Sequence, residues 1–141
     1  MREKIKSERI PSVLIGYLES KMSEPFCYGK NDCCLFAAKW VELVTGENPA
    51  QEFGIYESKK EAFKILTKSG GVRGICKKLF KRIHLNDAQR GDLVTYIEKP
   101  GRAKFETALG ILEGRYGFFV TEQGLRPIER SNLQKTAWRI F

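Results

Sequence analysis

Apolar residues along this chain change their spacing once, near position 84. Before that point they recur every three or four residues, which is the spacing of helices that bury one face. The first helix is predicted from about Pro11 to Met22. A second spans about 33–45, and a third follows Ser58 and Glu61, which have capping-box spacing. A fourth carries apolar positions from Val72 to Ile83.

After His84 the pattern shortens to the apolar runs and alternation typical of β-strands. Turn residues such as Gly91-Asp92 separate these runs. Helices followed by strands on short turns indicate an α+β fold with a C-terminal antiparallel sheet. We expect one domain, residues 1–141. The five predicted strands are Leu93–Glu98, Phe105–Glu113, Tyr116–Glu122, Leu125–Glu129 and Thr136–Phe141.

The second predicted helix carries two adjacent cysteines at its start. Asn31 and Asp32 are both N-cap residue types, and Gly46 suits a left-handed C-terminal cap. Cys33 or Cys34 therefore lies in the first turn, where free helix N–H groups favour a thiolate, the form that a nucleophile needs. The alternative is that both are small core residues, since free cysteine is often buried. We expect this helix to be the buried one, packed across the sheet.

The four cysteines, at positions 27, 33, 34 and 76, and a single histidine offer little for a metal site. Structural zinc sites usually show two ligand pairs at short spacing, whereas this chain has one irregular cluster and a distant member. Zinc stays an alternative interpretation, and we predict no cofactor and no metal. The charged first ten residues precede no long apolar segment, so we expect no signal peptide and reduced thiols in a product made in the cytoplasm.

The chain has 25 Lys and Arg against 17 Asp and Glu, a net charge of +8. Such a surface attracts anionic partners, nucleic acid among them. The basic residues are scattered, apart from Lys77, Lys78, Lys81 and Arg82, and no nucleic-acid motif accompanies them. We therefore expect a solvated helix face and no specific nucleic-acid binding. The apolar runs are too short to span a membrane.

Three motifs in order resemble those of the NlpC/P60 cysteine peptidases, which have a papain-like core. Asp32-Cys33 matches the nucleophile at a helix start, Gly91-Asp92 matches the turn that opens the first sheet strand, and Leu109-Gly110-Ile111 matches the body of a His-x-Gly-Ile motif on the next strand. The resemblance implies an NlpC/P60-like core for this chain, and it places Cys33, not Cys34, at the nucleophile position. It also implies a third polar group on the third strand, around positions 121–123.

Over residues 11–141 the chain also resembles small phage and prophage tail proteins of uncharacterised function related to that superfamily. The match is carried by the order and spacing of short motifs. These are Phe26, Tyr28, Gly29, Asp32, Cys33, Phe36-Ala37-Ala38, Thr45-Gly46, Pro49-Ala50, Gly70-Gly71, Gly91-Asp92, Ala108-Leu109-Gly110-Ile111, Gly124-Leu125 and Ala137-Trp138-Arg139.

One departure from the peptidase pattern bears on activity. The histidine that serves those enzymes as the base for the cysteine is replaced here by Ala108, which cannot accept a proton. The single histidine, His84, precedes the Gly-Asp turn, and we consider it as a displaced base because catalytic geometry is spatial. Without a base, the contribution of general-base catalysis, about 10²- to 10⁴-fold, is missing.

The resemblance thus implies two functions, and the charge suggests a third. The expected function is a phage or prophage tail-tip protein with a structural or assembly role and a degenerate site that keeps Cys33. The alternative is a cysteine peptidase or amidase that cleaves peptidoglycan stem peptides during phage entry. The implied partners are other tail-tip proteins, with peptidoglycan as a further candidate, and the implied location is the virion tail. Nucleic-acid binding is the third hypothesis.

Overall fold

Four helices precede a six-stranded antiparallel sheet in residues 4–52, 56–97 and 107–141, the residues that the computed structural model describes. The helices are α1 (Ile10–Lys21), α2 (Cys33–Thr45), α3 (Lys59–Ser69) and α4 (Gly71–Leu79). The strands are β1 (Lys81–His84), β2 (Leu93–Ile97), β3 (Thr107–Glu113), β4 (Tyr116–Thr121), β5 (Gly124–Glu129) and β6 (Thr136–Arg139). The predicted α+β class and the antiparallel sheet are confirmed. None of the described helices is both long and apolar enough to cross a membrane.

The strand order is β1-β6-β2-β3-β4-β5. Strands β2 to β5 are neighbours in sequence and in space, as is usual for consecutive strands. Strand β6 returns to lie between β1 and β2, with Thr136 opposite His84 and Ala137 opposite both Ile83 and Val94. The sheet therefore ends in β1 on one side and in β5 on the other.

Helix α2 begins and ends at the predicted residues. Asp32 lies just before it in extended conformation and accepts a hydrogen bond from the Leu35 N–H, and Gly46 follows it with φ of 86°. Trp40, fully buried in the middle of the helix, donates from its indole nitrogen to the Gly91 carbonyl at 2.8 Å. Helix α2 is thereby bonded to the turn that opens β2, and its predicted place as the buried helix is confirmed.

The sheet has a separate apolar cluster on each face. The cluster between sheet and helices, called the helix-side cluster, includes Trp40, Leu109 and Ile111. The cluster on the other face, called the far-side cluster, contains Leu85, Ala88, Val94, Ala108, Leu112, Phe119, Leu133 and Ala137. Both faces of the central strands are therefore buried, which explains their nearly continuous apolar sequence.

The prediction for the fourth helix was wrong at its end. Helix α4 stops at Leu79, Phe80 is extended, and Lys81–His84 forms a strand that pairs with β6. Ile83 fits the helical spacing, but three of the four strand residues are exposed and charged or polar, so no alternation marks the strand. Its partner is β6, far along the chain, and only this pairing makes it a strand.

Where the other strand ends differ from the predictions, they do so by one or two residues, as is usual for element ends. Strand β4 stops at Thr121, one residue before the predicted end, and β6 stops at Arg139. The predicted ends at Glu98 and Phe105 lie outside the described residues.

Candidate functional site

A cavity of about 190 Å³ lies where the start of α2 meets the sheet. Cys33 and Cys34 of α2 form one side of it, and Thr107, Ala108 and the end of β4 form another. Aromatic and aliphatic residues of the segment before α2 and of α3 form a further part of the wall, next to Val72 of α4. These are Phe26, Tyr28, Ala62, Phe63 and Leu66. The cavity is therefore mostly apolar and has thiols on one side.

Asp32 connects three parts of the cavity wall. One carboxylate oxygen caps α2 by accepting from the Leu35 N–H at 3.0 Å. The other accepts from the Gly29 N–H at 2.9 Å and from the Tyr56 hydroxyl at 2.6 Å. Because Asp32 and Tyr56 are both buried, these bonds are shielded from water. With three donors bound, this carboxylate positions the wall and is poorly suited to take a proton from Cys33.

Cys33 is the first residue of α2 and is half-buried at the cavity. Its neighbours hold their protons. The hydrogen bond with Cys33, and then burial, raises the pKa of the Cys34 thiol well above its ordinary value of 9.0. Burial, followed by the negative charge on Cys33, raises the pKa of Cys76 to about 12. Cys34 is therefore the donor in its hydrogen bond with Cys33, and the thiols of Cys34 and Cys76 stay protonated at physiological pH.

The phenol of Tyr56 is also held protonated. Burial, and then the hydrogen bond to Asp32, raises its pKa above the ordinary value of 10.0. A phenol that stays neutral at physiological pH donates a hydrogen bond but does not act as a base. Tyr56 therefore supports the site through Asp32 and supplies no proton acceptor.

Position 108, where the peptidases carry their base, borders the cavity. Successive residues of a strand face opposite sides. Leu109 packs in the helix-side cluster, and the Ala108 side chain packs in the far-side cluster. By the same alternation Thr107, not Ala108, lies on the helix-facing side of β3. Neither residue is a general base.

The end of β4 brings polar groups to the cavity at the position that the resemblance implies. Thr121, Glu122 and Gln123 all line it. The Thr121 hydroxyl donates to the Gly124 carbonyl at 2.9 Å and accepts from the Gln123 N–H at 3.2 Å. These bonds hold the turn between β4 and β5. They leave Glu122 and Gln123 as polar wall residues with no imidazole for them to orient.

His84 does not reach the cavity. It ends the exposed strand β1, and β6 and β2 lie between β1 and β3. Adjacent strands are about 4.8 Å apart, so three steps place His84 roughly 14 Å from β3. Its Nδ1 accepts a hydrogen bond from the Asn86 N–H at 3.0 Å. The hypothesis of His84 as a displaced base is therefore not supported by the geometry.

Phe26 and Tyr28 lie next to each other in the cavity wall. They contact each other edge to face, with ring centroids 4.8 Å apart. Sequence reasoning missed Tyr56 and Lys59, which also line the cavity. Tyr56 stands in a loop without periodicity, so no local signal marks its bond to Asp32. Lys59 precedes the apolar positions of α3 and reads from sequence as a solvated residue.

Metal binding finds no support in residues 4–52, 56–97 and 107–141. No group of three or more His, Cys, Asp or Glu side chains there could hold a metal ion. All four cysteines are free thiols, with Cys27 exposed and Cys76 buried. The zinc alternative is therefore not favoured in this part of the chain.

Comparison with known protein families assigns the chain to one family. A family model described as "Domain of unknown function (DUF6950)" matches residues 6–140. The chain belongs to the DUF6950 family. The match includes every residue of the cavity wall, so the cavity is part of the DUF6950 domain. No curated protein matches the sequence significantly.

Proposed function

We propose that this DUF6950 protein is a phage or prophage tail-tip component, with an NlpC/P60-like core, that has a structural or assembly role and no peptidase turnover. The observation that carries the loss of turnover is the cavity wall facing Cys33. Thr107 and Ala108 occupy the strand positions where a base would stand, and the only histidine of the chain lies on β1. A thiol without a proton acceptor, and without a later proton donor for the leaving amine, does not complete peptide hydrolysis.

Three features support the NlpC/P60-like core. Cys33 starts the helix that packs across the sheet, the Gly91-Asp92 turn precedes β2, and β3 lies next to β2 and borders the same cavity as Cys33. These are the relative places of the three motifs that carry the resemblance. Fold alone does not fix function, so the activity is argued separately from the residues of the cavity.

The tail-tip role rests on the order of short motifs from Phe26 to Arg139. On this proposal the partners are other tail-tip proteins, and the protein works in the virion tail after synthesis in the bacterial host. A decisive experiment compares deletion of the gene with Cys33→Ala in the phage or prophage that carries it. We expect deletion to abolish functional tails and Cys33→Ala to preserve them. Equal loss in both, with a folded Cys33→Ala protein, would contradict a purely structural role.

The second candidate, a cysteine peptidase or amidase acting on peptidoglycan stem peptides, is favoured by one observation. Cys33 starts a helix, accepts a hydrogen bond from Cys34 and borders a cavity with polar groups from β4. The site therefore keeps features of an activated thiol. What it lacks is the imidazole.

The assay that separates the two candidates is release of free amino groups from purified peptidoglycan. We expect no release by the wild type, whether or not Cys33 is replaced by alanine. Thr107→His and Ala108→His test the missing base at neighbouring positions, and strand alternation favours activity from Thr107→His because that side faces α2. Robust wild-type release that disappears in Cys33→Ala would overturn the structural proposal.

A further inference from the structure

Strand β1 ends the sheet with backbone groups that no described strand pairs. The Leu85 N–H donates to the Lys135 carbonyl at 2.7 Å, which makes these two residues a hydrogen-bonded pair. In an antiparallel ladder such pairs alternate, so Lys81 and Ile83 bond to β6 as well. The N–H and C=O groups of Arg82 and the N–H of His84 therefore point away from β6, toward the open edge, whereas the His84 carbonyl caps the 3₁₀ helix Leu85–Asp87.

This open edge is strongly basic. Lys81 and Arg82 of β1 are exposed, as are Arg73 and Lys77 of the adjacent helix α4. The guanidinium of Arg73 donates to the Thr136 hydroxyl at 3.3 Å, and Thr136 lies opposite His84. Arg73 therefore lies over the same sheet face as Arg82 and His84. In the described parts of the chain, none of these four cations forms an ion pair with a carboxylate.

Exposed sheet edges bind further strands unless something prevents it, and lysine on an edge is a common protection. Here the protection acts selectively. Positive side chains repel the same edge of a second copy but attract a strand that carries negative charge. The open backbone groups supply affinity, and the side chains supply the choice of partner.

We propose that the β1 edge binds an extended acidic segment of a partner protein, which pairs antiparallel to β1 as a seventh strand next to Arg82 and His84. Directly opposite residues of paired strands face the same side of the sheet, and alternate residues of the added strand share a side. The partner's acidic residues are thus two positions apart, opposite Arg82 and His84 and within the field of Arg73 and Lys77.

This inference does not depend on the cavity or on the proposed function, because β1 and the cavity lie three strands apart. A failed peptidoglycan assay leaves it unchanged, and a failed peptide-binding assay leaves the cavity unchanged.

The experiment measures binding of a capped ten-residue peptide of alternating glutamate and valine to the purified protein by isothermal titration calorimetry. Two methylated forms test strand pairing. Methyl groups on the glutamate nitrogens remove the N–H groups that face Arg82 and His84, whereas methyl groups on the valine nitrogens remove those that point away. We expect the first form to lose binding and the second to keep it. In NMR spectra, the Arg82 and His84 amides become protected from exchange when the unmodified peptide binds.

Charge is tested with matched variants. We expect Arg82→Glu to weaken binding about tenfold or more, since it replaces an attractive cross-strand pair with a repulsive one. Lys64→Glu changes net charge equally on an exposed position of α3 and should leave binding unchanged. A single-stranded oligonucleotide that binds as tightly as the peptide, with the same dependence on Arg82, would overturn the proposal in favour of a general anion surface. Equal binding of both methylated peptides, or no peptide binding, would also overturn it.

Discussion

Replacing Asp32 with alanine removes the residue that joins α2, the Gly29 loop and Tyr56. Loss of the helix cap costs about 1 kcal/mol. The Tyr56 hydroxyl, 2.6 Å from the carboxylate in the native protein, becomes a buried donor without an acceptor, which costs about 1–3 kcal/mol. With the lost Gly29 bond, we expect a decrease of about 3–5 kcal/mol in the free energy of unfolding. That is a large part of the roughly 5–15 kcal/mol that stabilises a typical domain.

The Tyr56→Phe variant tests the reasoning from the other partner. It removes the hydroxyl and leaves Asp32 bound to the Leu35 and Gly29 N–H groups, so we expect a cost of about 1.5 kcal/mol. In this background Asp32→Ala no longer leaves a buried hydroxyl without an acceptor. The two changes together should therefore cost less than the sum of the single changes, by about 1–2 kcal/mol.

Urea unfolding followed by circular dichroism measures these differences. With a slope of roughly 1.5–2 kcal/mol per molar urea, Asp32→Ala should lower the midpoint by about 2 M. Asp87→Ala, at an exposed aspartate, is the control and should change stability by less than about 0.5 kcal/mol. A cost below about 1 kcal/mol for Asp32→Ala, or strict additivity with Tyr56→Phe, would refute the view that this carboxylate holds the cavity wall together.

Three further outcomes are expected. Iodoacetamide should alkylate Cys33 well before Cys76 at pH 8, because burial raises the pKa of Cys76 to about 12. Mass spectrometry of digests gives the order of labelling, and earlier labelling of Cys76 would contradict the prediction. Burial also raises the pKa of Asp92 above its ordinary value of 3.8, so the folded state binds the proton more tightly than the unfolded state. The stability that this group contributes therefore falls as pH rises above about 3.8. Asp92→Asn should flatten that part of the profile of urea midpoint against pH, and an unchanged profile would count against the prediction. Gly110→Ala should destabilise the protein by several kcal/mol, since its Cβ would lie 2.3 Å from the Phe118 carbonyl oxygen. Gly16→Ala in α1, where the added Cβ meets open space, should be neutral or stabilising by up to about 1 kcal/mol. Similar thermal midpoints for the two variants would argue against tight packing of β3 on β4.

Much of the fold could be predicted from sequence because its signals are local. The cap at Asp32, the left-handed glycine at position 46 and the change of period after His84 each depend on a few neighbouring residues. Strand β1 could not be predicted, since its charged sequence becomes a strand only by pairing with β6.

The candidate site divides in the same way. The place of Cys33 at a helix start follows from the residues around it. The bond from Tyr56 to Asp32 spans 24 positions and has no sequence pattern. The side of β3 that faces the helix could not be read from motif matching alone, because a match aligns residues without stating the direction of their side chains. In the structure the helix-facing side of β3 carries Thr107, and Ala108 lies on the opposite side.

The position of β6 has a consequence for how the protein folds during synthesis. Strand β1 leaves the ribosome well before β6, yet among the described residues it has no other strand to pair with. Lys81 can pair only after its partner Arg139 has been synthesised. Pairings of such long sequence separation form late, because the chain entropy of closing the loop is lost before any contact compensates. Meanwhile the β2 edge and the far-side cluster stay uncovered next to β6. We expect the nascent chain to be most prone to aggregation in this interval, and slower elongation just before Thr136 to lengthen it.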